Sequence, residues 1–369
     1  MTSMQTSPGQ GGLPPNRAQL QELIGSMRVT QLIYVAAKLG IADQLTEGPK
    51  RIDELAATAA VDTTVLYRVL RALASHGIFA ETGDCHFALT PQAELLREDA
   101  PGSLRAWAMM LGEESCWKPW GALLECVQTG ETAFNRVFGM GGWEYLSMHP
   151  DAAETFNRMS ASNTEGRAMP IVEAYDFSAA TTVIDLGGGR GGLLAAILTK
   201  HPAVKGVLTD LPAVVEDAKA FLASQGLGER CEVLSNDLLA SVPQGGDLYV
   251  MKSVLHGLND EHVVAVLTNC RAAMTASATL LVIEAVLPPH GAPSPLINML
   301  DVHRMVMNGS RERSQDELRA FLETAVFSLH RVIQTGTQDN IFEALPVEPR
   351  REVRPPETNA RRRACVNSG

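Results

Sequence analysis

Two hydrophobic periods divide the chain. Near the start, Ile24, Val29, Leu32, Ile33, Ala36 and Leu39 fall on one helical face, and Gly40 stops that helix. Two shorter helices are predicted at Ile52–Ala59 and Thr63–His76, with Asp62 as N-cap of the second. Strand-like pieces around Thr82-Gly83-Asp84 then make a hairpin between Gly77 and Thr90. From Thr181 the pattern changes. Apolar runs at Thr182–Leu186, Val204–Thr209, Cys231–Leu234, Asp247–Met251 and Thr279–Val286 alternate with helical stretches at 191–200, 212–224, 261–274 and 314–323. Such alternation predicts an α/β fold, a parallel sheet with helices on both faces. Phe327–Ile333 and Gln338–Ala344 read as a closing antiparallel pair.

Residues 101–178, between these regions, read as helical and hold Trp107, Trp117, Trp120, Trp143 and several Met. Aromatics and Met at helical spacing fill a core or line an apolar pocket, and both readings stay open. The expected layout is a disordered start (1–17), a helix-and-hairpin unit (18–100), a helical linker and pocket region (101–178), the α/β unit (179–345) and a disordered basic tail (346–369).

Composition narrows the function classes. A chain of 369 residues can bury a large core over about two domains. The net charge of −11 makes it a poor general nucleic-acid binder. Only the tail is basic, with six Arg against three Glu from Pro346 onward. Helix, helix, hairpin is a winged-helix order, but Thr63–His76 carries only Arg68 and Arg71 as cations. Packing or dimerisation suits it better than DNA reading. The longest apolar runs, such as Ala278–Leu287, are too short to span a bilayer, and the first twenty residues lack a secretory pattern. Six scattered Cys without a CxxC pair read as reduced thiols in a cytoplasm, and no metal site is expected.

The chemistry concentrates at the ends of the predicted strands. Val183-Ile-Asp-Leu-Gly-Gly-Gly-Arg-Gly-Gly192 runs a strand into a glycine turn and then a helix. Gly187 and Gly189 allow close backbone approach, and the helix start offers free amides. Asp185, inside the strand, disfavours an anion there and favours a cation such as a sulfonium with its amino group. Asp210 ends the second strand, where an acid can accept both ribose hydroxyls. Asp237 follows the third and can accept from an adenine amino group. Three acids at the carboxyl edge of a parallel sheet, beside a glycine turn, fit a nucleoside. His256 follows the fourth strand and is a candidate general base. Glu284, ending the fifth, or Glu312 could orient its imidazole; either could instead pair with an Arg.

These segments resemble a known family. VIDLGGGRGG, LTDLPAVV, NDLL, DLYVMKSVLHGLND, LLVIEAVLP and NGSRERSQDEL occur in the order of class I S-adenosylmethionine-dependent O-methyltransferases of the plant caffeate/flavonoid type, and FNRM (156–159) matches too. Most similar is their bacterial natural-product branch, which acts on polyketides, phenazines and other phenols. The resemblance covers roughly residues 20–345. It implies a seven-stranded Rossmann-like sheet with one antiparallel strand. It also implies an N-terminal winged-helix dimerisation domain and a homodimer. It assigns cofactor contacts to Gly187, Asp210, Leu211, Asp237, Leu238 and Lys252. His256 matches the catalytic base, with Glu284 and Glu312 flanking it. Trp143, Met159, Met299, His303, Arg304 and Met307 match the acceptor pocket.

The chain departs from the family at His256-Gly257-Leu258, where His-Asp-Trp is usual. Asp301-Val-His-Arg304 puts polar side chains where apolar ones are common, and Arg304 or His303 could bind an acidic or polar group of the acceptor. The expected reaction is methyl transfer from S-adenosylmethionine to a hydroxyl of a small, aromatic metabolite, releasing S-adenosylhomocysteine. Two rivals are a non-methylating enzyme on the same scaffold, performing a hydroxylation or pericyclic step, and a nucleoside-sensing winged-helix regulator.

Overall fold

The computed structural model describes residues 15–348. Its centre is one twisted sheet of β1 (Thr182–Leu186), β2 (Lys205–Asp210), β3 (Cys231–Ser235), β4 (Leu248–Lys252), β5 (Thr279–Leu287), β6 (Phe327–Gln334) and β7 (Asp339–Pro346). The order is β3-β2-β1-β4-β5-β7-β6. Neighbours from β3 to β5 are parallel, and β7 runs antiparallel to both β5 and β6. The expected seven strands with one reversed are all present. A two-residue strand, Arg313–Ser314, adds onto Val286–Leu287, so the sheet counts eight. Two residues are too short to leave a period in the sequence.

The strand alternation builds two cores. Val183, Leu208, Val250 and Leu281 meet Leu194, Leu198 and Leu222 on one face. Ile184, Leu186, Tyr249, Met251 and Val282 meet Val263, Leu267 and Leu318 on the other. Burial on both faces is why these strands read as nearly continuous apolar runs. The flanking helices, Gly192–Lys200, Pro212–Ser224, Asp260–Ala273 and Gln315–Thr324, fall within a residue of expectation.

The first helix spans Pro15–Lys38, so the expected disordered start is too long by three residues. Proline is well placed there, because its missing N–H is one the first turn leaves unpaired anyway. The remainder of that expectation, residues 1–14, lies outside the described residues, as does the tail from 349. Helices Ile52–Ala59 and Thr63–Ser75 follow, the second capped by Asp62, which accepts from the Val65 amide at 2.8 Å. Strands Ala80–Glu81 and His86–Ala88 form the hairpin, and Lys50–Arg51 pairs with its second strand. Leu55, Leu66, Leu70, Leu73 and Phe87 pack its core. The first helix joins that core with Leu32, Ile33 and Ala36. Its N-terminal half does not: Leu20, Leu23, Ile24 and Met27 are all more than half exposed. Ile24 is therefore not part of the face buried within the chain.

Six helices from Arg105 to Ala174 connect the two regions. Phe134, Trp143, Phe156 and Met159 from this stretch line a cavity over the carboxyl edge of the sheet.

Candidate active site

That cavity has a volume of about 740 Å³. Small-molecule sites run to roughly 300–1,000 Å³, so it can take a ligand of nucleoside size with space beside it. The ends of β1 to β4 form its floor, as open parallel sheets direct.

The glycine turn after β1 is built around backbone contacts. Gly187 has φ 68°, and a Cβ there would lie 2.8 Å from Val254 Cγ2, which leaves only glycine at this position. Gly189 has φ 58°, with open space where a Cβ would sit. Asp210 fixes the turn: its Oδ2 accepts from the Gly189 amide at 2.7 Å and its Oδ1 from the Leu211 amide at 2.7 Å. Each carboxylate oxygen keeps a further lone pair for a ligand hydroxyl. Burial outweighs these two amides and raises the carboxyl above its usual pKa.

Asp185 lies in the same wall, 2% exposed, with no hydrogen-bond partner at Oδ2 among the described residues. Burial, then repulsion from Asp210, push its pKa up to about 7, against the pull of Lys252. An orphaned acid of this kind suits a cationic ligand, since an opposite charge would restore the ionised form. Asp237 is exposed at the cavity edge, and its Oδ1 accepts from the Leu239 amide at 2.9 Å. Leu211 and Leu238 complete the apolar rim of this half.

Lys252 ends β4 and is 9% exposed. Burial and the nearby Arg167 depress its pKa, opposed by Asp339, Glu284 and Asp185. Arg167, on helix Pro150–Ala174, pairs with buried Asp339 at 2.9 Å and also lines the cavity. No motif marked Arg167 or Asp339; they sit on a helix and a strand far apart in sequence.

The imidazole of His256 occupies a single turn, Leu255–Gly257, just past β4. Its Nδ1 lies 2.8 Å from Glu284 Oε2. Glu284 Oε1 accepts from the amides of Val254 at 3.0 Å and Leu255 at 2.7 Å. Burial alone would raise the Glu284 carboxyl, but His256 and these amides outweigh it and hold the pKa below its usual value. With Glu284 ionised, Nδ1 carries the hydrogen and Nε2 is left as an acceptor.

Glu312 sits close by but does not bond the imidazole. Its Oε1 accepts from Arg304 Nε at 3.3 Å, its amide donates to Asp301 at 2.9 Å, and Oε2 is buried without a partner among the described residues. His256, Glu284 and Glu312 bring donor atoms within 4.8 Å of one another, types a divalent ion can use. Three of their four carboxylate oxygens already accept, from a guanidinium, an imidazole and two amides.

Arg313, also unmarked by the motif reading, braces the His256 turn from behind. It is 3% exposed and donates to the carbonyls of Leu255 at 2.6 Å and Leu258 at 2.7 Å, and to Asp260 at 2.8 Å.

The expected acceptor residues separate. Met159, His303, Arg304 and Met307 line the cavity, as does Trp143 at its rim, 62% exposed and edge-on to Phe156. Met299 does not: it is 58% exposed and absent from the lining. On helix Pro295–Asn308, the inward positions are Leu300, His303, Arg304 and Met307, and Met299 lies about a quarter turn away from that face.

Comparison with known proteins agrees with this geometry. Residues 120–328 match an O-methyltransferase domain, and residues 21–99 match an O-methyltransferase dimerisation domain. The phenazine O-methyltransferase PhzM of Lysobacter antibioticus is 42% identical over 93% of this chain and 100% of its own. The O-demethylpuromycin-O-methyltransferase of Streptomyces alboniger is 39% identical over 86% of each chain. The crystal structure of LaPhzM superposes with TM-score 0.87 at 43% identity, covering 90% of this chain and all of that one. None of these supports a non-methylating reaction. The chain belongs to the O-methyltransferase family and is an S-adenosylmethionine-dependent methyltransferase.

Proposed function

We propose that the protein methylates a hydroxyl of a small aromatic metabolite, with His256 as the general base. The contact that carries this reading is His256 Nδ1 to Glu284 Oε2 at 2.8 Å, which leaves Nε2 free to accept a proton within the cavity. The names of the relatives, a phenazine and a puromycin precursor methyltransferase, support an aromatic acceptor.

S-adenosylmethionine, when bound, supplies a methyl group on a cationic sulfur. Gly187, Gly189, Asp210, Leu211, Asp237, Leu238 and Lys252 would hold it, with Asp185 and its orphaned oxygen compensating positive charge. His256 would take the proton of the acceptor hydroxyl, so that its oxygen could receive the methyl group that bound S-adenosylmethionine would supply. Glu284 keeps the imidazole in the required tautomer and stabilises its charge. Glu312 adds a second negative charge nearby, shared with Arg304. Trp143, Met159 and Met307 offer apolar surface to the aromatic ring. Alignment of two reactants in the cavity supplies up to about 7–11 kcal/mol, and the base a further 10²–10⁴-fold, roughly.

Functionally, residues 18–100 serve dimerisation, 101–178 the acceptor pocket, and 179–345 the cofactor, the last region also giving His303, Arg304 and Met307 to the pocket. The exposed face of Leu20, Leu23, Ile24 and Met27 supports a homodimer through the N-terminal unit. No described helix is long and apolar enough to cross a membrane, and Cys85, Cys116, Cys126, Cys231 and Cys270 are free thiols. Free thiols support a cytoplasmic setting.

The test is methyl transfer from labelled S-adenosylmethionine to hydroxylated arenes by the wild type and by His256→Ala. The variant should bind cofactor and lose most of the rate. Full turnover by the variant would remove the base assignment.

A further inference from the structure

Adjacent residues on helix Pro295–Asn308 present the cavity with hydrogen-bond donors only. Trp120 Nε1 stands 3.1 Å from His303 Nδ1, and the two rings stack with centroids 6.1 Å apart. An indole N–H can only donate. His303 Nδ1 therefore accepts and carries no hydrogen. A neutral imidazole bare at Nδ1 has its hydrogen at Nε2, so the tautomer is set by Trp120. Burial, then the neighbouring Arg304, push this imidazole's pKa down to about 4, which keeps the ring neutral near pH 7. His303 lines the cavity, and its Nε2 makes no hydrogen bond among the described residues.

Arg304 completes the pair. Its Nε donates to Glu312 at 3.3 Å, which anchors the guanidinium. Among the described residues, neither of its terminal nitrogens has a hydrogen-bond partner. The two side chains thus offer one fixed imidazole N–H and two guanidinium amino groups. The acceptor beside them is the Glu312 carboxylate, whose Oε1 takes Arg304 Nε and leaves the two terminal guanidinium nitrogens and the imidazole N–H for a ligand. Neutral ring carbons would leave these donors unpaired, whereas a carboxylate oxygen accepts from both, in charge-assisted bonds.

We propose that His303 and Arg304 form a subsite for a carboxylate on the acceptor ring, so that the enzyme prefers hydroxyarenes carrying a carboxylate over the same arene without one. Trp120 acts as a positioning residue, through His303. This deepens the reading of the cavity as an acceptor pocket and rests on it.

The probes are 3-hydroxy-2-naphthoate and 2-naphthol, titrated calorimetrically into the full-length protein loaded with S-adenosylhomocysteine. The naphthoate should bind about tenfold tighter or better, the scale of one charge-assisted hydrogen bond. His303→Leu and Arg304→Leu should each cut that preference by about tenfold. Trp120→Phe keeps a stacking ring, loses the indole N–H, and should lower the preference too; it carries the test if His303→Leu fails to fold. Equal affinity for the two probes, or a preference unchanged in the variants, overturns the subsite. Methyl transfer from labelled cofactor is scored separately. Transfer without carboxylate preference overturns the subsite and leaves the methyltransferase reading standing; preference without transfer supports the subsite and counts against the aromatic-hydroxyl reading.

Discussion

Glu284 holds His256 through one contact, Oε2 to Nδ1 at 2.8 Å, while its other oxygen is fixed by the Val254 and Leu255 amides. The same carboxylate therefore orients the imidazole and closes the turn that carries it. Glu284→Gln keeps the volume but loses the charge. A loss of about 10²-fold in kcat is expected, at the lower end of what a general base contributes, with cofactor affinity retained. Steady-state kinetics beside calorimetry of S-adenosylhomocysteine separate the two; an unchanged kcat would refute the orienting role.

The lowered Glu284 pKa also predicts a pH dependence of stability. Its ionised form is favoured in the folded state, so its contribution is complete above the ordinary carboxylate range. It is lost as pH falls through the lowered value. Thermal melts of wild type and Glu284→Gln should converge toward acid pH and separate above it.

Asp185 has the opposite sign. Its folded pKa is raised to about 7, so ionisation destabilises the ligand-free protein as pH rises from the usual carboxylate range toward neutrality. A cationic ligand reverses this by favouring the anion. Affinity for S-adenosylmethionine should accordingly increase between pH 6 and 8, roughly, and Asp185→Asn should flatten that profile. A variant profile parallel to wild type would exclude Asp185 as the titrating group.

Arg313 braces the turn from behind by binding the carbonyls on either side of His256. Lysine cannot hold both carbonyls and Asp260 at once. Arg313→Lys should lower kcat by about tenfold while leaving cofactor affinity within about twofold, since the glycine turn is untouched. Equal losses in both would mean a general folding defect.

The apolar face of the first helix gives a prediction about assembly. Leu23→Arg with Ile24→Arg places two charges where both residues are more than half exposed in the single chain. If that face pairs two copies, the double variant should run as a monomer by light scattering, with wild type as a dimer. An unchanged dimer would move the interface elsewhere.

Much of the fold was legible because periodicity and turn chemistry are local. The 2.0 and 3.6 spacings set the strands of the sheet and the helices flanking it within a residue or two, and Gly187, Gly189, Asp210 and His256 belong to short segments at strand ends. Met299 shows the limit. Its segment was right, but spacing alone does not say which side of the helix meets the cavity.

What the sequence by itself determined was the order of elements and the acids and base at the carboxyl edge of the sheet, since chain direction and a right-handed crossover bring those ends together. Tertiary structure alone decided the pairings across long separations: Arg167 with Asp339, Trp120 with His303, and Arg313 with the carbonyls beside His256. It also divided the two glutamates, giving Glu284 to the imidazole and Glu312 to Arg304. Those choices depend on distances of a few ångströms between side chains from different elements, which local pattern does not carry.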